Sequence, residues 1–156
     1  MRRQKKITPS DLTSHMGFWM RRVSNHVSLS FARKLEASGV TVAEWVVLRE
    51  MYRAEETTSP GVMAEVTGLT RGAISKLVSR LLEKDLVSRE EAVSDRRYQD
   101  ICLTKKAKDL VPKLANLADE NDEQFFSSLN GSERKQLKDI LVKLVDVHQL
   151  KTMPIE

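Results

Sequence analysis

The chain has 156 residues, of which 31% are charged and only 5% are aromatic, and its formal net charge is +4. A chain of this length supports one or two small domains with a hydrophobic core. It contains no run of about 18 apolar residues, which argues against a membrane-spanning helix, and no secretory signal is expected after its basic N-terminus. The single cysteine, Cys102, rules out an internal disulfide and favours a cytoplasmic location.

The excess positive charge is concentrated at the N-terminus. Residues 1–8 are predicted to form a flexible basic tail, and they hold four of the 26 basic residues. Without those four, 22 basic residues remain against 22 acidic ones. Net charge alone therefore gives little support for a nucleic-acid partner, and the local placement of charge has to carry that argument.

Periodicity and capping signals predict that most of the chain is helical. Apolar residues recur at steps of three and four over residues 9–39, which predicts one long N-terminal helix. Thr41 and Glu44 have the spacing of a capping box for a second helix. Thr104 and Asn130 are suitable caps for two C-terminal helices within residues 105–150.

The flanking helices carry more apolar surface than one small domain can cover, which predicts burial against a second copy of the chain. The C-terminal candidates for that contact are Phe125, Phe126, Leu129, Leu141, Leu144 and Val145.

Residues 59–84 have the pattern of a helix-turn-helix. Ser59 and Pro60 begin a short helix, Gly68 ends it, and Thr70 caps a longer helix. On the longer helix, Ile74, Leu77 and Leu81 share one side, which is expected to pack inward. The opposite side is small, polar and basic.

That side, with the cap and the neighbouring basic residues, is called the polar face here and consists of Thr70, Arg71, Gly72, Ser75, Lys76, Ser79 and Arg80. Small residues permit close approach to another surface, and hydroxyl and basic groups can bond to bases or phosphates. The helix N-terminus adds free amides for a phosphate. Taken alone, this face is equally compatible with an ordinary amphipathic helix.

Two strands follow, at about residues 86–91 and 98–103, and the loop between them carries Asp95, Arg96 and Arg97. Arginines at a hairpin tip suit a narrow minor groove or flanking phosphates, and Asp95 could pair with Arg97. Such a tip alone is more often a solvated turn. Immediately after a helix-turn-helix, however, it favours a DNA-binding wing.

The sequence thus predicts a mainly α protein with a small β-hairpin. A winged helix-turn-helix domain spans residues 40–104, and N- and C-terminal dimerisation helices flank it over 9–39 and 105–150.

Two sequence motifs resemble those of the MarR family of bacterial transcription regulators. One is the D-x-R…LT spacing from Asp95 to Thr104, and the other is L-V-x-R-L-x-x-K-x-L-V-x-R from Leu77 to Arg89. The resemblance covers roughly residues 10–150. It departs from the family pattern at Asp85, where glycine usually ends the recognition helix, and at Thr67, where an apolar residue is commoner.

The resemblance implies a homodimer that binds a pseudo-palindromic double-stranded DNA operator, most simply as a repressor. It also implies a small aromatic or anionic effector, bound between the dimer helices and the DNA-binding lobe. Candidate positions for that ligand are His15, Trp19, Arg22, Met51 and Tyr52. Trp19 and Met51 are more typical of core residues than of a ligand site, and His15 and Arg22 are equally typical of surface residues.

Other functions find less support in the sequence. It has no glycine-rich phosphate loop, nucleophile elbow or metal-ligand spacing, so no enzyme activity, cofactor or metal is expected. Cys102 is expected to face the core as a structural residue. A winged helix that contacts only other proteins is the alternative, but it would not need arginines at the wing tip.

Overall fold

The computed structural model describes residues 8–54, 57–92 and 99–155. Its six helices and three strands in those ranges follow in chain order: α1 (Met16–Glu36), α2 (Val42–Arg53), β1 (Thr57–Thr58), α3 (Pro60–Thr67), α4 (Arg71–Glu83), β2 (Val87–Glu91), β3 (Gln99–Leu103), α5 (Lys105–Phe125) and α6 (Gly131–Val147). The predicted fold class, a mainly α winged helix-turn-helix with flanking helices, is confirmed. None of the helices in the described ranges combines the length and the hydropathy that a membrane span requires.

Side-chain caps begin most of the helices where the sequence predicts them. Thr41 and Glu44 form a reciprocal capping box at α2, and Asn130 with Glu133 forms another at α6. The Thr104 hydroxyl accepts a hydrogen bond from the Ala107 amide at the start of α5. These signals are local, so they can be recognised without knowing the tertiary structure.

The N-terminal helix is shorter than predicted. Residues 12–14 form a single turn of 3-10 helix, and α1 begins only at Met16, because the backbone at His15 is extended. The Trp19 indole N–H donates to the Thr13 carbonyl at 2.8 Å, which satisfies that carbonyl outside a continuous helix. The apolar periodicity ran through this break and therefore did not reveal it.

The small sheet has a strand that the sequence did not indicate. Its order is β1-β3-β2, with both neighbours antiparallel to the central β3, and Thr57 lies opposite Cys102. Two threonines are too short a pattern to predict a strand. Their pairing depends on a partner 45 residues away.

The expectation that Cys102 faces the core is wrong. Ile101 and Leu103 are buried, so the intervening Cys102 lies on the opposite face of β3, where it is half-buried. The Thr57 hydroxyl donates to its Sγ at 3.7 Å.

One hydrophobic core joins α2, α4, α5 and the inner face of the sheet. Leu48, Leu81, Ile101 and Leu114 are among its fully buried residues. By contrast, no residue of α6 is buried in the single chain. The core therefore fixes the winged domain together with α5, while α6 extends from it with its apolar side uncovered.

Candidate nucleic-acid interface

The recognition helix α4 is held to the core by the side that the sequence predicts. Ile74, Leu77 and Leu81 are all buried, and Val78 joins them. At its start, the Thr70 hydroxyl accepts a hydrogen bond from the Ala73 amide at 3.2 Å. The packed side and the cap together determine which residues of α4 point outward.

The turn between α3 and α4 depends on two residues at the end of α3. Gly68 has a φ of 71°, in the left-handed region that favours glycine. Thr67 is buried, and its hydroxyl donates to the Met63 carbonyl at 2.7 Å and accepts from the Leu69 amide at 3.3 Å. The threonine that departs from the family pattern therefore has a role, since its hydroxyl satisfies a backbone amide of the turn.

Every residue of the polar face is exposed. Its three cations, Arg71, Lys76 and Arg80, have no carboxylate within salt-bridge distance among the described residues. A Cβ added at Gly72 would meet no atom within 4 Å, so the packing of the chain itself does not require glycine there. The result is an exposed basic surface on which Gly72, in the first turn, carries no side chain.

A buried ion pair fixes the C-terminal end of α4. The Lys84 ammonium donates to both carboxylate oxygens of Glu44, at 2.7 and 2.8 Å, and the Glu44 side chain is only 1% exposed. The same carboxylate accepts from the Thr41 amide at 2.9 Å. The sequence predicts Glu44 as a capping residue, but its contact with a lysine 40 positions away has no local signal.

The first turn of α5 also binds the end of α4. Asp85 has a φ of 55°, the left-handed conformation that glycine usually supplies there, so the Asp85 departure is accommodated without a change of fold. Its carbonyl accepts from the Thr104 hydroxyl at 2.7 Å, and the Lys84 carbonyl accepts from Lys106 Nζ at 2.7 Å. Both ends of α4 are therefore held by specific hydrogen bonds.

The strands of the wing pair in register from Val87 opposite Leu103 to Glu91 opposite Gln99. Asp95, Arg96 and Arg97, which the sequence places at the wing tip, lie outside the described residues. Their predicted contacts with DNA and the predicted Asp95–Arg97 pair stay predictions.

The candidate ligand residues are spread over different environments in the single chain. Met51 is in the core, where it lines a cavity of about 170 Å³ between α2, β1 and α3. His15, Trp19 and Arg22 lie on the exposed side of the N-terminal segment, and Tyr52 is exposed at the end of α2. None of the other four residues lines the cavity that Met51 borders.

The surfaces predicted to dimerise are apolar and uncovered in the single chain. On α6, Leu141, Leu144 and Val145 are between 39% and 43% exposed, while Phe125, Phe126 and Leu129 before it are half-buried. The start of the chain adds Met16, which is 74% exposed, and Trp19, which is 45% exposed.

Among the described residues, no group of three or more histidine, cysteine or acidic side chains could hold a metal ion.

Solved structures with the same fold are numerous, and three illustrate it. BpsR of Bordetella bronchiseptica, whose DNA binding is regulated by 6-hydroxynicotinic acid, is 24% identical, with a TM-score of 0.76 over 89% of this chain and 99% of that one. A cysteine-to-serine mutant of MarR from E. coli, in complex with operator DNA, is 21% identical, with a TM-score of 0.75 over 87% and 99%. The organohalide-sensing regulator RdhR-CbdbA1625, in its 2,4-dichlorophenol-bound form, is 17% identical, with a TM-score of 0.76 over 98% of each chain.

A sequence model described as the MarR family matches residues 38–97. These residues include α2, the helix-turn-helix and β2, which is the part of the chain that carries the polar face. Over this segment the chain is similar to the MarR family, and over most of its length it has the winged helix-turn-helix fold of these solved structures.

Proposed function

We propose that the protein is a transcription regulator that binds a specific double-stranded DNA operator as a homodimer. The observation that carries the proposal is the polar face of α4: seven exposed residues of small, hydroxyl or basic type, with three cations unpaired among the described residues. A helix of this kind fits the major groove, where arginine and lysine bond to guanine and the helix N-terminus faces a phosphate.

Gly72 supports the same assignment, because glycine lowers the stability of a helix. Glycine in a helix is less favourable than alanine by up to about 1 kcal/mol, less so near the end, yet nothing in the chain requires its small size at this position. The absence of a side chain would allow the first turn of α4 to approach a phosphate or a base edge closely. A helix that remained in solvent would gain nothing from this glycine.

The homodimer is proposed from the uncovered apolar residues on α6 and at the start of the chain. Isolated exposed apolar residues are normal, but α6 has no buried residue and presents several along one helix. A two-fold dimer would cover that surface and place two α4 helices on half-sites about one DNA turn apart, at roughly 34 Å. The operator would then be pseudo-palindromic.

We further propose that the regulator is a repressor whose DNA binding a small aromatic or anionic effector controls, with cytoplasmic DNA as its target. Two similar proteins are described with 6-hydroxynicotinic acid and with 2,4-dichlorophenol. The candidates remain His15, Trp19, Arg22, Met51 and Tyr52. Because His15, Trp19 and Arg22 are exposed in the single chain, the proposed site would be completed by residues of the second copy. Release of DNA by such acids or phenols is the test, and it fails if neither the melting temperature nor DNA binding changes.

The central experiment is selection of bound sequences from random duplexes, followed by affinity measurements on the enriched site. Lys76→Ala should weaken binding and change the preferred base at one position of each half-site, since a base-contacting lysine or arginine is worth about 1–3 kcal/mol. Arg2→Ala is the matched control, because a residue of the basic tail should affect only the salt-dependent part of the affinity.

Arg97→Ala tests the wing separately, with an expected loss of about 1–3 kcal/mol. Unchanged affinity in a band-shift assay would refute the wing assignment alone. If no duplex is enriched, DNA binding itself is refuted, and the winged helix would be a protein-contact module.

A further inference from the structure

The C-terminal segment turns back onto the helix-turn-helix after α6. Gln149 has a φ of 52°, and the Leu150 amide donates to the Val145 carbonyl at 3.0 Å, which closes the end of α6. Shortly after Gln149, the Met153 amide donates to the Val66 carbonyl in the last turn of α3 at 2.9 Å. The chain thus reaches the turn that positions the recognition helix.

Three further contacts place this segment against the same surface. The Thr152 methyl lies 3.0 Å from the position that a Cβ on Gly68 would occupy. Pro154 borders a cavity of about 290 Å³ that Phe31 and Trp45 also line. Ile155 borders a groove of about 520 Å³ along α4, whose other lining residues include Thr70, Gly72, Lys76 and Arg80.

Burial distinguishes this segment from the helix that precedes it. Every residue from 135 to 152 is exposed, whereas Met153 and Ile155 are half-buried. The segment therefore rests on the winged domain at alternate residues. Four residues of the polar face, Thr70, Gly72, Lys76 and Arg80, line the groove that Ile155 borders.

From this juxtaposition, we propose that residues 151–155 are an intramolecular ligand of the helix-turn-helix that competes with DNA for the N-terminal half of α4. The inference rests on the proposed function, since the competitor is the duplex. A phosphate or base edge at Thr70 and Lys76 would need space next to Ile155, so the segment has to move before the groove can meet DNA. It thereby lowers the fraction of molecules that can bind.

The expected gain in DNA affinity on release of the segment is small, because few contacts dock the segment. One backbone hydrogen bond and two half-buried apolar side chains correspond to a docked population several times larger than the free one. Release of the segment should therefore strengthen DNA binding by about three- to tenfold. A larger gain would need contacts that these residues do not make.

The experiment uses the full-length chain with Met153→Pro, which removes the amide that donates to Val66. Met153→Leu is the matched control, because it keeps the amide and an apolar side chain. A truncation after Leu150 is the second variant; it also removes the charges of Lys151 and Glu156, which Met153→Pro keeps. Two quantities are measured: affinity for the selected duplex by fluorescence anisotropy, and amide hydrogen exchange of residues 62–76 without DNA.

We expect Met153→Pro and the truncation to bind the selected duplex about three- to tenfold more tightly than the unsubstituted chain does, with faster amide hydrogen exchange near Gly68. Met153→Leu should behave as the unsubstituted chain does. Faster exchange with equal or weaker binding would overturn the inference, because the segment would then only brace the turn. Unchanged exchange would also overturn it, since the segment would not be docked in solution. If no variant binds any duplex, the proposed function fails and the competition with it, while the exchange data still report whether the segment docks.

Discussion

The buried pair between Glu44 and Lys84 gives the sharpest stability prediction. The two side chains differ in environment, since Glu44 is 1% exposed and Lys84 is 34% exposed. Removing the lysine leaves the buried Glu44 carboxylate without its cation and with a single remaining hydrogen bond, from the Thr41 amide. Removing the carboxylate leaves an ammonium that water can still reach. The two single substitutions should therefore have unequal costs.

We expect Lys84→Met to lower the free energy of unfolding by about 3–5 kcal/mol, the range for breaking a buried pair from one side. Glu44→Gln should cost less, about 1–2 kcal/mol, because glutamine can keep the capping bond to the Thr41 amide and the lysine can hydrate. The double variant, with Lys84→Met and Glu44→Gln together, should be more stable than Lys84→Met alone, since it no longer contains an unpaired buried carboxylate.

Urea unfolding followed by circular dichroism measures these differences, with protein concentration held constant because dimerisation would shift the transition. The reasoning is refuted if Glu44→Gln costs as much as Lys84→Met. It is also refuted if the double variant is less stable than both single variants.

Thr67→Val should cost about 1–2 kcal/mol in the same assay, because it removes two hydrogen bonds and leaves a partly buried amide of the turn unpaired; no loss would show that another group satisfies that amide. Leu144→Asp should turn the proposed dimer into a monomer in sedimentation equilibrium, and an unchanged mass would place the dimer contact elsewhere. Hydrogen bonds from Arg134, and then its positive charge, hold the pKa of Glu123 below its ordinary value. The pair therefore stabilises the fold fully at pH values above the unfolded pKa of about 4.3, and this stabilisation is lost as the pH falls through the folded pKa. The stability lost in Glu123→Ala should accordingly shrink in acid, and a loss independent of pH would contradict this account.

The helices and the polar face were predictable because their signals are local. A cap, the first helical residues and the inward-facing stripe all lie within a few positions of one another, as at Thr70 and the Ile74–Leu77–Leu81 side. Once α4 is known to be a helix with that side buried, the exposure of Ser75, Lys76 and Ser79 follows from helix geometry alone.

The features that the sequence did not reveal join residues distant in the chain. Lys84 lies 40 positions from Glu44, and Asn121 donates to the Val27 carbonyl across 94 positions. Neither contact has a periodic signature, since each depends on how two helices cross. The strand at Thr57–Thr58 and the contact of Met153 with α3 were missed for the same reason.

One helix joins the apolar surfaces of the chain to the recognition helix. At the start of α5, Thr104 and Lys106 hold the backbone that ends α4, and further along Asn121 bonds to both Val27 and Lys34 of α1. Because packed helices tend to move as rigid elements, we expect a shift of α1 to be carried along α5 to the end of α4. In the proposed dimer, a ligand against α1 would thus change the separation of the two α4 helices rather than the structure of either. Because half-site spacing is fixed by the DNA helix, even a small change in that separation weakens simultaneous contact with both half-sites.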